Sequence, residues 1–337
     1  MLLIRKKAYA RAALIGNPSD GYFGKTIAIV VRNFWAEVTL YEWDQIELIP
    51  SQEDQSRFDS IGALAHDVQL HGYYGGIRLV KATIKKFYEY CREQQVKLHE
   101  RNFSIRYQSN IPRQLGLAGS SAIIVATLRC LIEFYVIEIP REVLPSLALS
   151  VETEELGIAA GLQDRVIQVY EGVVYMDFAR DRMRQQNGLA CGVYEPLEPG
   201  SLPPLYLAYS DEASEPTEVV HNNLRARFRQ GEPAVLDAMR RLAELTVEGR
   251  AALVARDAAR LAVLVDQNFE LRRSICQIAP GHLRMIEVAR ACGASAHFAG
   301  SGGAILGVYR DETVYARLGR ELGVIGCRVV RPIVCGS

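Results

Sequence analysis

Pro112, Gly116, Leu117, Ala118, Gly119, Ser120, Ser121 and Ala122 stand in one short stretch, IPRQLGLAGSSA, which runs straight into the apolar segment IIVATLRCLIEFY. Small residues let a backbone approach a ligand closely. The segment after them has the composition of a buried helix. A Gly/Ser loop that opens a helix presents unpaired N–H groups and the positive end of the helix dipole, and both favour phosphate. The hydroxyls of Ser120 and Ser121 add a phosphate contact and a ligand for magnesium. These residues point to a nucleotide phosphate cradle of a kind other than a Walker loop. A decoy lies upstream, where Gly21-Tyr22-Phe23-Gly24-Lys25-Thr26 ends like a Walker loop but has Ser19 in place of its first glycine. The run that follows, TIAIVVRNFWAEVTLYEW, is β-branched and aromatic and predicts a strand. A Walker loop must open a helix, so this segment reads as a turn before a strand.

Two further turns accompany the cradle. RAALIGNPSDG, from Arg11 to Gly21, ends a predicted strand in Asn-Pro and Asp-Gly turn chemistry. FAGSGGA, from Phe298 to Ala304, lies between two predicted strands and could by itself equally be a hairpin turn. Glu152 and Asp164 are 12 positions apart. A helix end and the Gly157/Gly161 turn between them could bring both to one site. A carboxylate beside a phosphate loop signals magnesium, and a second can orient or deprotonate an attacking hydroxyl. Glu154 and Glu155 read as a solvated, charged helix face, and spacing alone does not choose among these acids. Together the parts fit phosphoryl transfer, which needs positioning and charge neutralisation more than covalent chemistry. No G-x-S-x-G elbow, H-E-x-x-H pair or Ser-His-Asp set speaks for a hydrolase.

Bulk properties narrow the class. The 39 Lys and Arg balance 39 Asp and Glu, so no nucleic-acid or membrane field is implied. The longest apolar runs are broken by charge well short of a membrane span. At the N-terminus, MLLIRKKAYARAAL has the wrong order of basic and apolar residues for a secretory signal. Cys91, Cys130, Cys191, Cys276, Cys292, Cys327 and Cys335 show no C-x-x-C spacing. They read as reduced thiols of a cytoplasmic protein, not as a disulfide frame or zinc site. The expected partners are small molecules, with the chain a monomer or homodimer.

A chain of 337 residues suggests two domains. Periodicity predicts strands at 7–15, 26–40 and 45–49, a helix over 74–94 and a strand at 103–108 leading into the cradle. Helices at 141–156 and 164–170 and a strand at 172–178 follow. The Pro/Gly-rich stretch 197–204 is the best linker. Beyond it come a strand at 205–209 and three long helical patterns across 217–278. The chain then alternates: helix 281–292, strand 295–298, strand 304–309, helix 313–322 and strand 327–333. That ending is a β-α-β-β-α-β, ferredoxin-type pattern.

In this order, and over nearly the whole chain, the three motifs resemble the GHMP kinases, the superfamily of galactokinase, homoserine kinase, mevalonate kinase and phosphomevalonate kinase. IPRQLGLAGSSA is similar to the P-x-x-x-G-L-x-S-S-A phosphate loop, the superfamily's most specific signature. RAALIGNPSD resembles the galactokinase motif R-x-N-L-I-G-E-H-x-D, with Asn17-Pro18 replacing Glu-His. FAGSGGAILGV resembles the C-terminal glycine turn that packs against the phosphate loop. Within the superfamily, GNPSDGYFGKT, NIPRQLGLAGSSAI, ELGIAAGLQDRVIQVYEGVVYMDF and NFELRR read most like the plant-type glucuronokinases.

The resemblance implies an α+β fold of two domains. A ribosomal-protein-S5-like ATP-binding domain would cover residues 1–200, and a ferredoxin-like domain with extra helices would cover 201–337. It implies ATP and Mg2+, with residues 112–122 at the nucleotide phosphates and Ser121 and Glu152 at the metal. Asp164, in Gly-Leu-Gln-Asp-Arg, matches the aspartate that serves as base or orienting acid. Arg11 stands where galactokinase has a catalytic arginine, and a cation there offsets transition-state charge. Asp20 matches the sugar-binding aspartate. The implied reaction is phosphorylation of the anomeric hydroxyl of D-glucuronate. A uronate needs a cation, and arginine binds carboxylates through a bidentate fork. Among Arg78, Arg113, Arg165, Arg272 and Arg273, each equally readable as a surface salt bridge, we single out Arg113 and Arg165. Tyr73 and Tyr74 could stack on sugar or adenine, with core packing the plainer role. The rival readings are a kinase of the same fold acting on galacturonate, a neutral hexose, a heptose or mevalonate, and a silent sugar- or nucleotide-binding regulator.

Overall fold

A computed structural model describes residues 2–50, 75–210 and 224–335. The first sheet is built on a long antiparallel pair, β1 (Leu3–Ile15) and β2 (Lys25–Trp43), in register from Leu3 opposite Tyr41 to Ile15 opposite Ile27. Residues 10–15 of β1 are all buried, which is why that run is apolar on both faces except for Arg11. Lys25 opens a 19-residue strand, so the Walker-like Gly24-Lys25-Thr26 opens no helix. β3 (Glu47–Ile49) runs parallel to β4 (Asn102–Ser109), which pairs with the distal half of β2. Against this sheet pack α1 (Gly76–Glu93) and α2 (Gly119–Tyr135), followed by α3 (Leu144–Ser150) and α4 (Gln163–Tyr170). β5 (Val173–Asp177) pairs with the start of β2. A hairpin of β6 (Arg184–Gln186) and β7 (Leu189–Cys191) then leads to β8 (Val193–Leu197) beside β5.

The second sheet draws its strands from residue 205 onward. They are β9 (Leu205–Ser210), β10 (His297–Phe298), β11 (Ala304–Val308) and β12 (Cys327–Val330), in the order β10-β11-β9-β12, all antiparallel. The helices of this half are α5 (Pro233–Val254), α6 (Ala258–Ile275), α7 (Pro280–Ala291) and α8 (Glu312–Val324). Element order and strand order together are those of a ferredoxin-like β-α-β-β-α-β unit with added helices. Local chemistry marks the helix starts: proline opens α5 and α7, and Asp257 and Asp311 cap α6 and α8 through Arg260 and Val314 N–H. None of these helices is long and apolar enough to cross a membrane among the described residues.

Three expectations need correction. The helix predicted over 141–156 is α3 alone, followed by a π turn at Val151–Glu155. The widened turn buries Glu152 while Glu154 and Glu155 stay outside, paired with Lys86 and Lys85. Of the three helical patterns across 217–278, two are the long helices α5 and α6 and the first is described only over 224–229, since 217–223 lie outside the described residues. The β6–β7 hairpin and β8 fall where no strand was predicted, because β6 and β7 are each 3 residues long, β6 is wholly polar and β8 carries a glutamate and a proline.

One apolar core runs through both halves. It joins Ile15, Ile27 and Leu128 to Leu245, Leu253, Leu264 and Leu306. α5 lies so close to β1 that a Cβ on Gly249 would meet two Ile15 carbons at 3.1 Å. Leu264 on α6 is fully buried in this shared core. Leu264→Ala is expected to cost about 2–5 kcal/mol. Chemical denaturation should show it as an earlier midpoint of a single transition, not as a second transition.

Candidate active site

The Gly/Ser loop has the backbone that phosphate binding requires. Gln114, Gly116 and Ala118 have φ of 58°, 65° and 64°, so left-handed residues alternate with others along the loop. Alternation of this kind turns successive N–H groups toward one side and makes an anion-binding concavity. Ala118 is also the N-cap of the 17-residue α2, and no side chain caps it. The first-turn N–H groups are therefore available to a ligand at the positive helix end.

The loop is held from three sides. Leu117 carbonyl accepts the Arg11 N–H at 3.2 Å, and Gln168 on α4 donates to the Ala118 carbonyl at 2.8 Å. On the third side the Phe298–Ala304 turn packs against it. A Cβ on Gly300 would collide with the Gly116 carbonyl oxygen and lie 2.7 Å from Arg11 Nη1, and a Cβ on Gly116 would lie 2.6 Å from Ser301 N. Two bare glycines are thus what lets these turns touch, and the expected packing of the third motif on the first is present.

Arg11 sits at the centre of this contact and is 5% exposed. Its Nε donates to Asp164 Oδ1 at 2.6 Å, and its Nη1 donates to the carbonyls of Gly116 at 2.7 Å and Ala299 at 2.6 Å. Asp164 is in the first turn of α4, where a carboxylate is favoured by the helix dipole. Its other oxygen lies 3.3 Å from Arg165 Nη1. Asp20 approaches the same helix start, where the Gln163 backbone N–H favours its charged form. Gly161 leaves it room, since a Cβ there would collide with Asp20 Oδ2. Burial, then the nearby Asp164 charge, push the Asp20 carboxyl up to about 6, with Arg11 pulling the other way. Arg11, Asp20 and Asp164 are therefore brought together from three separate segments.

Arg165 departs from its expected place. Its guanidinium is buried against the Glu152 carboxylate and donates to the Gly161 carbonyl at 2.8 Å. Burial, then repulsion from Arg11, lower its pKa to about 9, which still leaves it charged at neutral pH. This arginine fixes Glu152 and is not presented to a sugar carboxylate. Ser121 also departs: it is fully buried, with its hydroxyl on the Ala118 carbonyl at 3.2 Å. Ser120, exposed at the helix start, is the residue whose hydroxyl reaches Glu152 Oε1, at 2.8 Å. Helical rotation by one residue turns adjacent serines to different faces, and repetition of serine in the sequence hides which is which. Arg113 is exposed on the loop, Arg273 is exposed on α6, and Arg78 lies in the first turn of α1. Tyr73 and Tyr74 lie outside the described residues.

Sequence reasoning gave Gln168, Asn17 and Asn268 no role. Asn268 on α6 accepts the Gly16 N–H at 2.6 Å and donates to the Asn17 carbonyl at 3.2 Å. Arg272, considered for a carboxylate, instead donates to Asn17 Oδ1 at 2.9 Å and to the carbonyls of Gly300 at 2.5 Å and Ser301 at 2.7 Å. The signal available in the sequence was the four-residue spacing of Asn268 and Arg272, which places them on one helix face.

Residues 78–172 match the model of the GHMP kinases N terminal domain. The chain is similar in fold to galactokinase from Lactococcus lactis complexed with galactose, at 15% identity, with a TM-score of 0.77 over 99% of this chain and 94% of that one. It is likewise similar in fold to the mevalonate kinase of Methanococcus jannaschii, at 17% identity and a TM-score of 0.68 over 98% of each chain. In sequence it is 43% identical over 310 residues to glucuronokinase 1 of Arabidopsis thaliana, covering 90% of this chain and 84% of the relative. The chain belongs to the GHMP kinases, and within them to the family of the plant glucuronokinases. GHMP kinases use ATP as phosphate donor.

Gly300→Ala is expected to push Arg11 and the Gly116 carbonyl apart. Turnover should fall by about tenfold or more, because sub-ångström misplacement of reacting groups is costly. The check is steady-state kinetics beside a thermal melt. A variant as active as the parent would show that the turn is not held to this tolerance.

Proposed function

We propose that the chain is a Mg-ATP-dependent kinase that transfers the γ-phosphoryl group to the anomeric hydroxyl of D-glucuronate, giving the 1-phosphate. The observation that carries the reading is the Arg11 guanidinium. It binds Asp164 through Nε and the phosphate loop through the Gly116 carbonyl, in a chain 43% identical to a glucuronokinase. One side chain thus ties the acid that would face the sugar hydroxyl to the loop that would hold the nucleotide.

In this reading the α2 N-terminus and residues 112–122 hold the nucleotide phosphates. Asp20 accepts a sugar hydroxyl. Asp164 accepts the hydrogen bond of the anomeric hydroxyl and takes its proton as the new O–P bond forms and the bond to the leaving ADP breaks. Arg11 holds Asp164 in place and places positive charge beside the transferring group, the arrangement that phosphoryl transfer needs. Magnesium fits the donors at the start of α2. A single carboxylate (Glu152) with an adjacent hydroxyl (Ser120) supplies two oxygen ligands, and a magnesium ion takes its remaining ligands from phosphate and water. Held there by Glu152 and Ser120, it would supply positive charge against the phosphates. Ser121, which the resemblance points to, lies one residue inside the helix and supports the Ala118 carbonyl. For the uronate carboxylate we retain Arg113, exposed on the loop.

ADP release over a panel of glucuronate, galacturonate, glucose, galactose, a heptose and mevalonate tests the reading. Turnover confined to glucuronate is expected. Activity on a neutral sugar or on mevalonate would discard the uronate assignment, and ATP binding without turnover of any acceptor would favour a regulator. Asp164→Asn should keep ATP binding and lower kcat by about a hundredfold or more. Near-parental turnover would remove Asp164 from the chemistry.

The raised pKa of Asp20, about 6, sets a pH dependence. Its carboxylate form binds the sugar, so kcat/KM for the sugar should fall as pH drops through about 6, and Asp20→Asn should abolish that limb. The stability effect has the opposite sign. From the ordinary 3.8 up to about 6 the folded chain keeps a proton that the unfolded chain has released, so stability declines over that window. Asp20→Asn should therefore raise Tm at pH 8 and leave it nearly unchanged below pH 4 (roughly the unfolded pKa).

A further inference from the structure

Arg272 presents a physical puzzle. It is 4% exposed, and among the described residues no carboxylate pairs with it. Asp20 acts on it only from beyond contact distance, and a buried cation without a bonded counter-charge is expensive unless dipoles replace its water. The dipoles are supplied by three oxygens, Asn17 Oδ1, Gly300 O and Ser301 O. The guanidinium also lies over the Phe298 ring, 4.9 Å from its centroid. The acceptors belong to the two turns that carry the site. Asn17 is three residues before Asp20, and Gly300 and Ser301 are the residues pressed on Gly116. One helical turn earlier on α6, fully buried Asn268 holds the same Asn17 turn by its backbone, through Gly16 N–H and Asn17 C=O.

We infer that Asn268 and Arg272 form a clamp on one face of α6 that keeps the sugar-side turn at 16–20 in register with the glycine turn at 299–303 and, through it, with the phosphate loop. They are positioning residues and touch neither substrate. Each half-site also has ties of its own, the nucleotide cradle through Arg11 N–H and Gln168 and Asp20 through its seat against Gly161. What the clamp sets is the separation and orientation between them, hence the approach of the hydroxyl to the phosphoryl group. The inference rests on the kinase reading above for its kinetic consequence, but its structural consequence does not depend on the identity of the sugar.

The decisive variants are Arg272→Met, Arg272→Lys and Asn17→Ala. For Arg272→Met, kcat should fall about tenfold to a hundredfold while KM for ATP and for glucuronate each stay within about threefold, since misplacement between two intact half-sites acts on the chemical step. Arg272→Lys keeps the charge but cannot span both turns as a planar fork does, and should recover part of the loss. Asn17→Ala removes only the side-chain tie and should shift kcat in the same direction, by less. Native-state amide exchange of Arg272→Met should quicken at residues 16–21 and 299–303 together, with the β1–β2 core unchanged. The clamp is overturned if kcat stays within about twofold of the parent, or if the loss appears as a large rise in either KM. It is also overturned if exchange quickens in only one of the two turns. Should Arg272→Met fail to fold, Arg272→Lys and Asn17→Ala decide by the same readouts. A parent protein that binds ATP yet leaves glucuronate untouched would sink the substrate assignment, and the exchange pattern would still judge the clamp.

Discussion

Everything in the site depends on where one buried cation finds its partners. Arg11 lies on a strand whose neighbours are apolar, inside a core that offers no water. Its charge is tolerated because Asp164 and two backbone carbonyls are brought to it. Each partner comes from a different part of the chain: the first turn of a helix, a loop full of small residues, and a glycine turn between two strands of the other sheet. An unpaired charge at that depth would be far costlier than any single contact. The fold is therefore under strong pressure to deliver all three at once. Correct folding of the strands, the helix and the turn is thereby linked to the assembly of the groups that would carry out phosphoryl transfer.

A second layer of charge supports the first. Glu152 is turned inward by a π turn and held by Arg165, while its neighbours Glu154 and Glu155 are tied outward to lysines of α1. Three acids and two arginines, Asp20, Glu152, Asp164, Arg11 and Arg165, are thus packed close together. Each pair limits the freedom of the next, which is how a polar cluster becomes rigid instead of merely buried. The raised pKa of Asp20, like the lowered one of Arg165, marks where the compensation is incomplete, and Asp20 is the residue placed for the sugar.

The parts of this arrangement that were legible in the sequence are those written in local pattern. The Gly/Ser loop and the helix it opens follow from small residues before an apolar run, and the ferredoxin-like half follows from the order of its elements. Failure of the Walker reading was visible in the β-branched segment after Lys25. Partnerships across long separations were not legible. Arg165 is followed in sequence by nothing that announces Glu152, and a buried arginine looks in a string of letters like an exposed one. Ser120 and Ser121 are identical in type and differ only by about 100° of helix rotation. The π turn that selects Glu152 from three nearby glutamates is invisible to a reading based on a 3.6-residue period. The clamp on α6 is spelled by two polar residues in a helix otherwise described by its apolar spacing.

The bond from Arg11 to the Ala299 carbonyl spans 288 positions. A ribosome builds the chain from the other end, at roughly 5–20 residues per second. The β1–β2 pair and the phosphate loop are therefore made long before the carbonyl that Arg11 needs exists. Until residue 299 has emerged, the nascent chain carries a half-built pocket whose central cation has Asp164 and Gly116 within reach but lacks its third partner. Only a polypeptide that extends past residue 299 can close that pocket, so a product cut short before this glycine turn would be a poor trap for nucleotide.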